Sequence, residues 1–397
     1  MDTKSTIENK FQLNKLFLIG VFFYSFLSVV INFYKWTLKK SFYEYSDWLL
    51  NYQGGLIRRG FAGEIFFQIH NKLNFDLVNV VLFFVILFNI IFFYFLFKKI
   101  SVTKLNFLNT LIIFSPLSFT YLAFNQTMAG RKEILFFSLI AVFFYFFNNF
   151  KFYQIKYFII FISIVSILTH DGFLFYIPYL IFFFLFSYPK KNKLEIFFQI
   201  LPIGIFLILI FSFLIFYTIF SKPDIGLFCN SVISYVNKCP DGTYMAFMSK
   251  YSIKQLFFLV LQEALTFNYF VKYPIYFFIC FLPLYFGFKN FKNYRIKKLI
   301  FYLIISTICT IPVFLFGSDY GRYIHWQYII ILFIYLHCLN LKNFSQNNTN
   351  YFFSAKINKY ILFVIIFFYG FLWSVPHYGH QNIKILSVYK NLFSYFF

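Results

Sequence analysis

Eleven apolar runs punctuate the chain, at 14–34, 76–97, 105–124, 133–149, 155–170, 172–188, 196–220, 273–288, 299–317, 324–340 and 360–376. Most approach the ~20 residues that an α-helix needs to cross a hydrocarbon core. The fourth to sixth are short, which leaves room for tilted or broken helices. Two further stretches have helical periodicity without the hydrophobicity of a span. In 62–73, Ala62, Ile65, Phe66, Ile69 and Leu73 share one face while Glu64, Gln68 and Asn71 look elsewhere. That is the pattern of a helix lying in the membrane plane. Residues 252–271, which carry Lys254 and Glu263, are read the same way; a spanning helix there would move every later loop to the other side. No polar block is long enough for a separate soluble domain, and no internal repeat is visible. The pattern predicts one all-α integral membrane domain over 1–397, a polytopic bundle with outer loops at 36–75 and 221–271.

Composition sharpens this picture. The chain is 61% hydrophobic and 12% charged, with a mean hydropathy of +0.72, whereas soluble domains carry about 25% charge. Phe (71) and Tyr (33) are in excess, and Lys (30) far outnumbers Arg (5). Phe, Tyr, Ile, Asn and Lys share AT-rich codons, so a single Phe reads as lipid-facing filler. The net charge of +22 fits loops that face anionic lipid better than a nucleic-acid partner. With the N-terminus in the cytoplasm, the inner loops hold 19 Lys and Arg against Asp2, Glu8 and Glu195. The other 16 share the outer side with ten of the 13 acidic residues. The positive-inside rule then predicts a multi-pass inner-membrane protein with a cytoplasmic N-terminus and an extracytoplasmic C-terminus. The first run lacks a small-residue cleavage site after it and reads as a retained helix. Cys280, Cys309 and Cys338 fall in apolar runs as packing residues. Cys229 and Cys239 share an outer loop with Asp224 and Asp241, where they are either a disulfide or two free thiols.

The candidate chemistry lies outside. The first outer loop reads Tyr45-Ser46-Asp47-Trp48, then Asn51-Tyr52-Gln53-Gly54-Gly55-Leu56-Ile57-Arg58-Arg59-Gly60, then Gly63-Glu64. A Gly pair permits a tight left-handed turn, and adjacent guanidiniums can grip a phosphate or carboxylate through two parallel bonds. Surface anchoring by basic residues would serve equally well with Lys. Yet four of the five Arg (Arg58, Arg59, Arg131 and Arg322) lie on the outer side of a chain that otherwise writes Lys. Each stands near Gly and an acid, as in Gly130-Arg131-Lys132-Glu133 and Asp319-Tyr320-Gly321-Arg322. Guanidinium geometry is therefore needed there, either for an anionic ligand or for a structural Arg–carboxylate network. Thr169-His170-Asp171-Gly172 forms a short outer turn, in which His170 is a general base or ligand, or Asp171 simply caps a helix. In Ser318–Trp326, Asp319, Arg322 and His325 recur at i, i+3 and i+6 along one helix face. Trp326 and its tyrosines suit an interfacial belt or sugar stacking. His377 and His380 lack a third metal ligand nearby in sequence, and Asn125-Gln126-Thr127 is a minimal glycosylation sequon.

Topology gathers Asp47, Arg58, Arg59, Glu64, Arg131, Lys132, Glu133, His170, Asp171, Asp319, Arg322 and His325 on one outer rim. The membrane-core stretches carry almost no charge, whereas coupled transporters more often keep ionisable groups near the midplane. Such a rim suits chemistry on a lipid-borne substrate.

On these residues the chain resembles the polytopic glycan-assembly enzymes of bacterial envelopes. It is similar to GT-C glycosyltransferases, which carry an acidic residue in the first outer loop beside an in-plane helix; the matching positions are Asp47, with Glu44 nearby, and 62–73. It also resembles Wzy-type O-antigen or capsule polymerases, whose outer-loop Arg and His residues correspond in kind to Arg58, Arg59, Arg131, His170 and Arg322. The paired Asp-Glu motif of protein mannosyltransferases and the very large late outer loop of many polymerases are both missing. The resemblance therefore covers layout, and both branches stay open.

It implies transfer of a saccharide from a polyprenyl-pyrophosphate carrier, in surface polysaccharide assembly. Arg58, Arg59, Glu64, Arg131, Lys132, Asp171, Asp319, Arg322 and His325 would bind substrate, with Asp47 or His170 as the base. No cofactor is required; a divalent metal at Asp47 belongs to the GT-C branch. Partners would be membrane lipid, the lipid-linked saccharide and other polysaccharide-assembly proteins, with no nucleic acid. The rivals are a transporter or flippase of lipid-linked saccharide, and a scaffold or acyl-transfer enzyme.

Overall fold

A computed structural model describes residues 15–40, 45–188, 193–220, 223–236, 253–291, 295–341, 359–378 and 384–385. The all-α expectation holds. The helices are α1 (Lys15–Leu38), α2 (Phe61–Leu73), α3 (Leu77–Ser101), α4 (Phe107–Ile113), α5 (Phe119–Phe124), α6 (Glu133–Phe146), α7 (Phe152–Thr169) and α8 (Ile177–Ser187). They continue as α9 (Lys193–Phe220), α10 (Ile225–Val232), α11 (Ile253–Thr266), α12 (Tyr269–Lys289), α13 (Ile296–Cys309), α14 (Ile311–Phe316), α15 (Tyr320–Leu339) and α16 (Lys359–Phe371). Among the described residues, α1, α3, α7, α12 and the α13–α14 pair are long and apolar enough to cross a membrane, and shorter apolar helices accompany them. The chain is a multi-pass membrane protein. Helices suit that setting because each satisfies its own backbone where no water is available.

α15 is the central helix, buried from Tyr320 to Cys338. It packs against α3, α6, α8, α12 and α14. Lipid tails are as apolar as Phe, so helices in a bilayer associate through close packing and interhelical hydrogen bonds instead of transfer from water. Both are present here. Gly287 on α12 leaves room for Ile112 and Tyr335, which a Cβ would crowd. Tyr335 Oη donates to Asn109 Oδ1 at 2.6 Å, Gln327 Nε2 to Thr310 Oγ1 at 2.5 Å, and Tyr176 Oη to the Tyr323 carbonyl at 3.1 Å. Each such bond is worth about 0.6 kcal/mol. The filler reading of Phe applies to Phe83 and Phe278, which face outward, but Phe92, Phe137, Phe144 and Phe333 lie wholly inside.

Several runs differ from unbroken spans. The 105–124 run breaks into α4 and α5 around Ser115-Pro116-Leu117-Ser118. Pro116 brings no N–H and disfavours helix in the residue before it. Its neighbours' carbonyls are taken instead by Tyr328 Oη (to Ile112, 2.7 Å), Thr120 Oγ1 (to Ser115, 3.0 Å) and His325 Nδ1 (to Leu117, 2.8 Å). Irregular backbone is tolerated at membrane depth only when protein buries it in this way. The 299–317 run breaks at Thr310, just before Pro312. The 172–188 run opens with a 3-10 turn, Asp171–Tyr176. The last run ends at Phe371 and gives way to strand β1 (Trp373–Ser374), paired antiparallel with β2 (Lys384–Ile385).

Both amphipathic stretches are helical, as α2 and α11. On α2, Ala62, Gly63 and Phe66 are buried, with Phe66 stacked on Phe84, while Ile65 and Leu73 face outward. α9 is the least enclosed of the long helices, with Ile205, Phe206, Leu209, Phe213 and Phe216 all exposed.

Candidate functional site

At one end of the bundle, five chain segments meet. They are the first loop after α1, the start of α6, the turn between α7 and α8, the start of α15, and the segment after α16. Three glycines set the approach. Gly130 has φ +71°, and a Cβ there would collide with the Phe33 ring. Its carbonyl accepts the Trp48 indole N–H at 2.6 Å, which ties the first loop to the residues that open α6. Gly63 lets α2 lie against the Leu50 carbonyl, and Gly54 does the same for Asp224. Asp224 N–H donates to the Gly54 carbonyl, and Asn51 donates to Ser231, so α10 rests on the Gly54 turn.

Arg59 itself adopts a left-handed backbone, φ +65°, which is uncommon for a residue with a side chain. In an extended strand, neighbouring side chains point to opposite faces. The left-handed step lets Arg58 and Arg59 converge on one carboxylate: Arg58 Nη2 lies 3.1 Å from Asp171 Oδ2 and Arg59 Nε 2.7 Å from Asp171 Oδ1.

From Asp171 a continuous ionic chain runs both ways. On one side Lys132, fully buried, donates to the Arg59 carbonyl at 2.6 Å and sits 3.7 Å from Asp47. On the other side Arg322 is the hub. It pairs with Glu133, donates to Asp319 Oδ2 at 2.8 Å, contacts His170 Nε2 at 3.1 Å, and lies 5.1 Å over the Trp326 ring. His377 Nε2 stands 3.6 Å from Asp319 Oδ1. Arg131 is buried and acts electrostatically on both Asp47 and Asp319.

A guanidinium can only donate, so His170 Nε2 accepts from Arg322 and the neutral ring keeps its proton on Nδ1, 3.7 Å from Asp171 Oδ1. The Gly172 N–H that also faces Nδ1, at 3.3 Å, is the longer contact and loses to the charge-assisted one.

The cluster tunes its own acids apart. Burial would raise the Asp47 pKa, but Lys132, Arg131 and Arg59 outweigh it and hold the group at about 2. Burial pushes Lys132 down to about 8 against the pull of Asp47. Burial pushes Asp319 up to about 6, with Arg131 and Arg59 opposing and Glu263 adding to the rise. Among the described residues the cluster gathers five cationic side chains (Arg58, Arg59, Arg131, Lys132 and Arg322) and four carboxylates (Asp47, Glu133, Asp171 and Asp319). Glu263, acting on Asp319, makes the carboxylates five, so the count balances while Asp319 is ionised and turns positive when it is protonated.

Asp47, Arg58, Arg59, Arg131, Lys132, His170, Asp171, Asp319 and Arg322 are thus brought together as the sequence suggests. Glu64 is not in the chain of ion pairs: it accepts the Tyr52 N–H at 2.8 Å and the Gln68 amide at 2.6 Å, bracing the loop. His325 does not share the face of Asp319 and Arg322. It points into the bundle, against Tyr121 and Phe137, with Nδ1 on the Leu117 carbonyl. Six residues along a helix is 600° of turn, well off one face. Glu133 and His377 join the cluster beyond the expected ligand residues. Glu133 was visible beside Arg131-Lys132; His377 carried only a weak signal, and His380 lies outside the described residues.

Asn125 of the sequon is buried and accepts from Thr127 at 2.7 Å. Cys229 is disulfide-bonded, while Cys239 and Asp241 lie outside the described residues. Asp47, the position at which the GT-C branch would place a divalent metal, is paired with cationic side chains. Lys132, Arg131 and Arg59 already supply its positive charge, and among the described residues no three of His, Cys, Asp or Glu form a metal-holding group. No protein-family model, no curated protein and no solved structure matches the chain.

Proposed function

We propose that this protein is a membrane glycosyltransferase or polysaccharide polymerase. It acts on polyprenyl-pyrophosphate-linked saccharides at the extracytoplasmic face, in surface polysaccharide assembly. The observation that carries this reading is the near-dry cluster of four arginines and Lys132, drawn from the first loop, α6 and α15 of a chain that writes Lys almost everywhere else. Burying charge is costly unless it is paired, and protonation of Asp319, whose pKa burial pushes up to about 6, leaves this cluster with more cation than carboxylate. A pyrophosphate would complete it. Its carrier lipid would lie in the bilayer against the exposed apolar helices.

In the reaction, Arg58, Arg59, Arg131 and Arg322 hold the pyrophosphate and stabilise the charge it gains on leaving. Asp171 and Glu133 orient those guanidiniums. Asp47, kept ionised, faces the same charge cluster and orients Lys132. The extracytoplasmic assignment is supported by loop charge and by the Cys229 disulfide, a bond that persists in oxidising compartments. The Cys229 helix, α10, rests directly on the Gly54 turn.

The direct test replaces Arg58 and Arg59 together by Lys, which keeps the charge and removes the planar fork. Transfer from lipid-linked saccharide is expected to fall about 100-fold, with loss of long surface glycan on gels. Glycan of normal length and amount would remove the basis of the proposal.

Transport or flipping of the same lipid-linked saccharide is the second reading. The interrupted helix α4–α5 favours it, since broken helices build midplane sites in transporters. A transporter would move saccharide across proteoliposomes without forming a glycosidic bond.

A further inference from the structure

Away from the arginine cluster, a cleft of about 270 Å³, open on one side, runs between α7, α8 and α9. Ile159 and Ser163 line it from α7, Ile181 from α8, and Ile200 and Ile203 from α9, with Lys156 at its mouth. The residues explain why it stays open. Ser163 is the smallest of them, and its hydroxyl donates back to the Ile159 carbonyl at 2.7 Å, so it presents no free donor to the cleft. The isoleucines are stiff at χ1 and cannot swing in to fill the gap. On the far wall Pro202 brings no N–H to the Phe198 carbonyl, which loosens α9 at this level. One turn on from Ile200, Gly204 faces open space: a Cβ there would meet nothing within 4 Å.

The cleft is long and narrow. The α7 wall runs from Lys156 to Ser163 and the α9 wall from Ile200 to Leu207, each about 10 Å of helix rise. Its interior is apolar, and its charge is confined to one end. Lys156 lies one turn inside the start of α7, so its stem follows the apolar wall while its ammonium reaches the membrane surface. It has no ion pair among the described residues. Glu195 is the one described carboxylate at this end of the bundle, and it accepts from Gln199 instead.

We propose that this cleft binds an anionic phospholipid, with one acyl chain between α7, α8 and α9 and the phosphate on Lys156. The site is separate from the glycosyl-transfer reading and does not depend on it. The apolar walls would accept any acyl chain, and charge selects the head. Lys98, Lys151, Lys156, Lys289 and Lys297 stand at this end against Glu195, a surplus that draws anionic lipid. A zwitterionic head would bring its own ammonium into that field. A second copy of the chain would bring the same lysines. A lipid-borne pyrophosphate has its cationic partners, Arg58 and Arg59, at the opposite end. The bound chain would fill the seam on which α9 is seated, since α9 packs chiefly on α7, α8 and the Asp171–Tyr176 turn.

The test titrates the full-length protein with phosphatidylglycerol and, separately, phosphatidylcholine of identical acyl chains, and reads retained lipid by native mass spectrometry. Wild-type protein is expected to hold one phosphatidylglycerol about fivefold more tightly than phosphatidylcholine. Lys156→Gln should erase that preference, while Lys297→Gln, exposed on α13, should keep it. Ile203→Trp fills the cleft and should weaken retention of both lipids. Ile160→Trp, from the facing wall, reads the same quantity if the first variant does not fold. Equal retention of the two lipids by wild type overturns the proposal, as does an unchanged preference in Lys156→Gln. The same loss in Lys297→Gln overturns it too, because a diffuse basic surface would then suffice. Unaltered lipid retention in both tryptophan variants removes the cleft from the account, and a change in oligomeric state alone would give it to a second copy. Displacement of phosphatidylglycerol by a lower concentration of polyprenyl phosphate would assign the cleft to the carrier and overturn the phospholipid.

Discussion

Asp47 and Asp319 belong to one ionic cluster and are driven in opposite directions. For Asp47 the folded pKa, about 2, lies below the ordinary 3.8, so its contribution to stability is present above 3.8 and lost as pH falls toward 2. For Asp319 the folded pKa, about 6, lies above 3.8. Its contribution is intact below 3.8 and is lost as pH rises through 6. Linkage makes the second effect roughly 3 kcal/mol at most. The melting temperature of wild type minus that of Asp319→Asn, measured in detergent, is therefore expected to be smaller at about pH 7 than at about pH 4.5; His170, held neutral by burial, acts on both proteins in the opposite direction. An identical pH dependence in the two proteins would show that Asp319 is ionised throughout. At this scale the arginines were legible because the lysine bias supplied a contrast. His377 was not, since a lone histidine after a span has no pattern. Nor was the left-handed Arg59, because that conformation is held by the distant Asp171 and no local residue type announces it.

The helix interrupted at Pro116 shows what a hydropathy pattern leaves out. Each apolar run does contain a helix, but hydropathy averages over the run and does not register where the backbone ladder fails. Pro116 was the available signal. The partners that make the break tolerable, Tyr328 and His325, lie over 200 residues away on α15. That dependence can be measured. Tyr328→Phe leaves the Ile112 carbonyl without its donor in a buried place, at a cost of about 1–3 kcal/mol. Unfolding of the variant in mixed micelles should show that loss. A variant as stable as wild type would mean that the break is satisfied in some other way. The Asp319, Arg322 and His325 spacing belongs to the same lesson: the first two meet, and the third serves the broken helix one turn deeper.

Across the whole molecule, the charge bias of the loops suggests an orientation, and the two ends of the fold make it testable. Gln53 lies exposed in the arginine loop, and Lys151 lies exposed at the opposite end, where α7 begins. In intact cells Gln53→Cys is expected to react with a membrane-impermeant maleimide, and Lys151→Cys only after permeabilisation. The reverse pattern would invert the protein and strand the arginine cluster in the cytoplasm. The long helix α9 adds a different consequence. Its many outward-facing Phe, Ile and Leu side chains meet hydrocarbon more than protein, so the surrounding medium, more than neighbouring helices, decides where it rests. Exchange of the bilayer for short-chain detergent is therefore expected to disturb α9 before the enclosed helices, read as earlier loss of amide-exchange protection there.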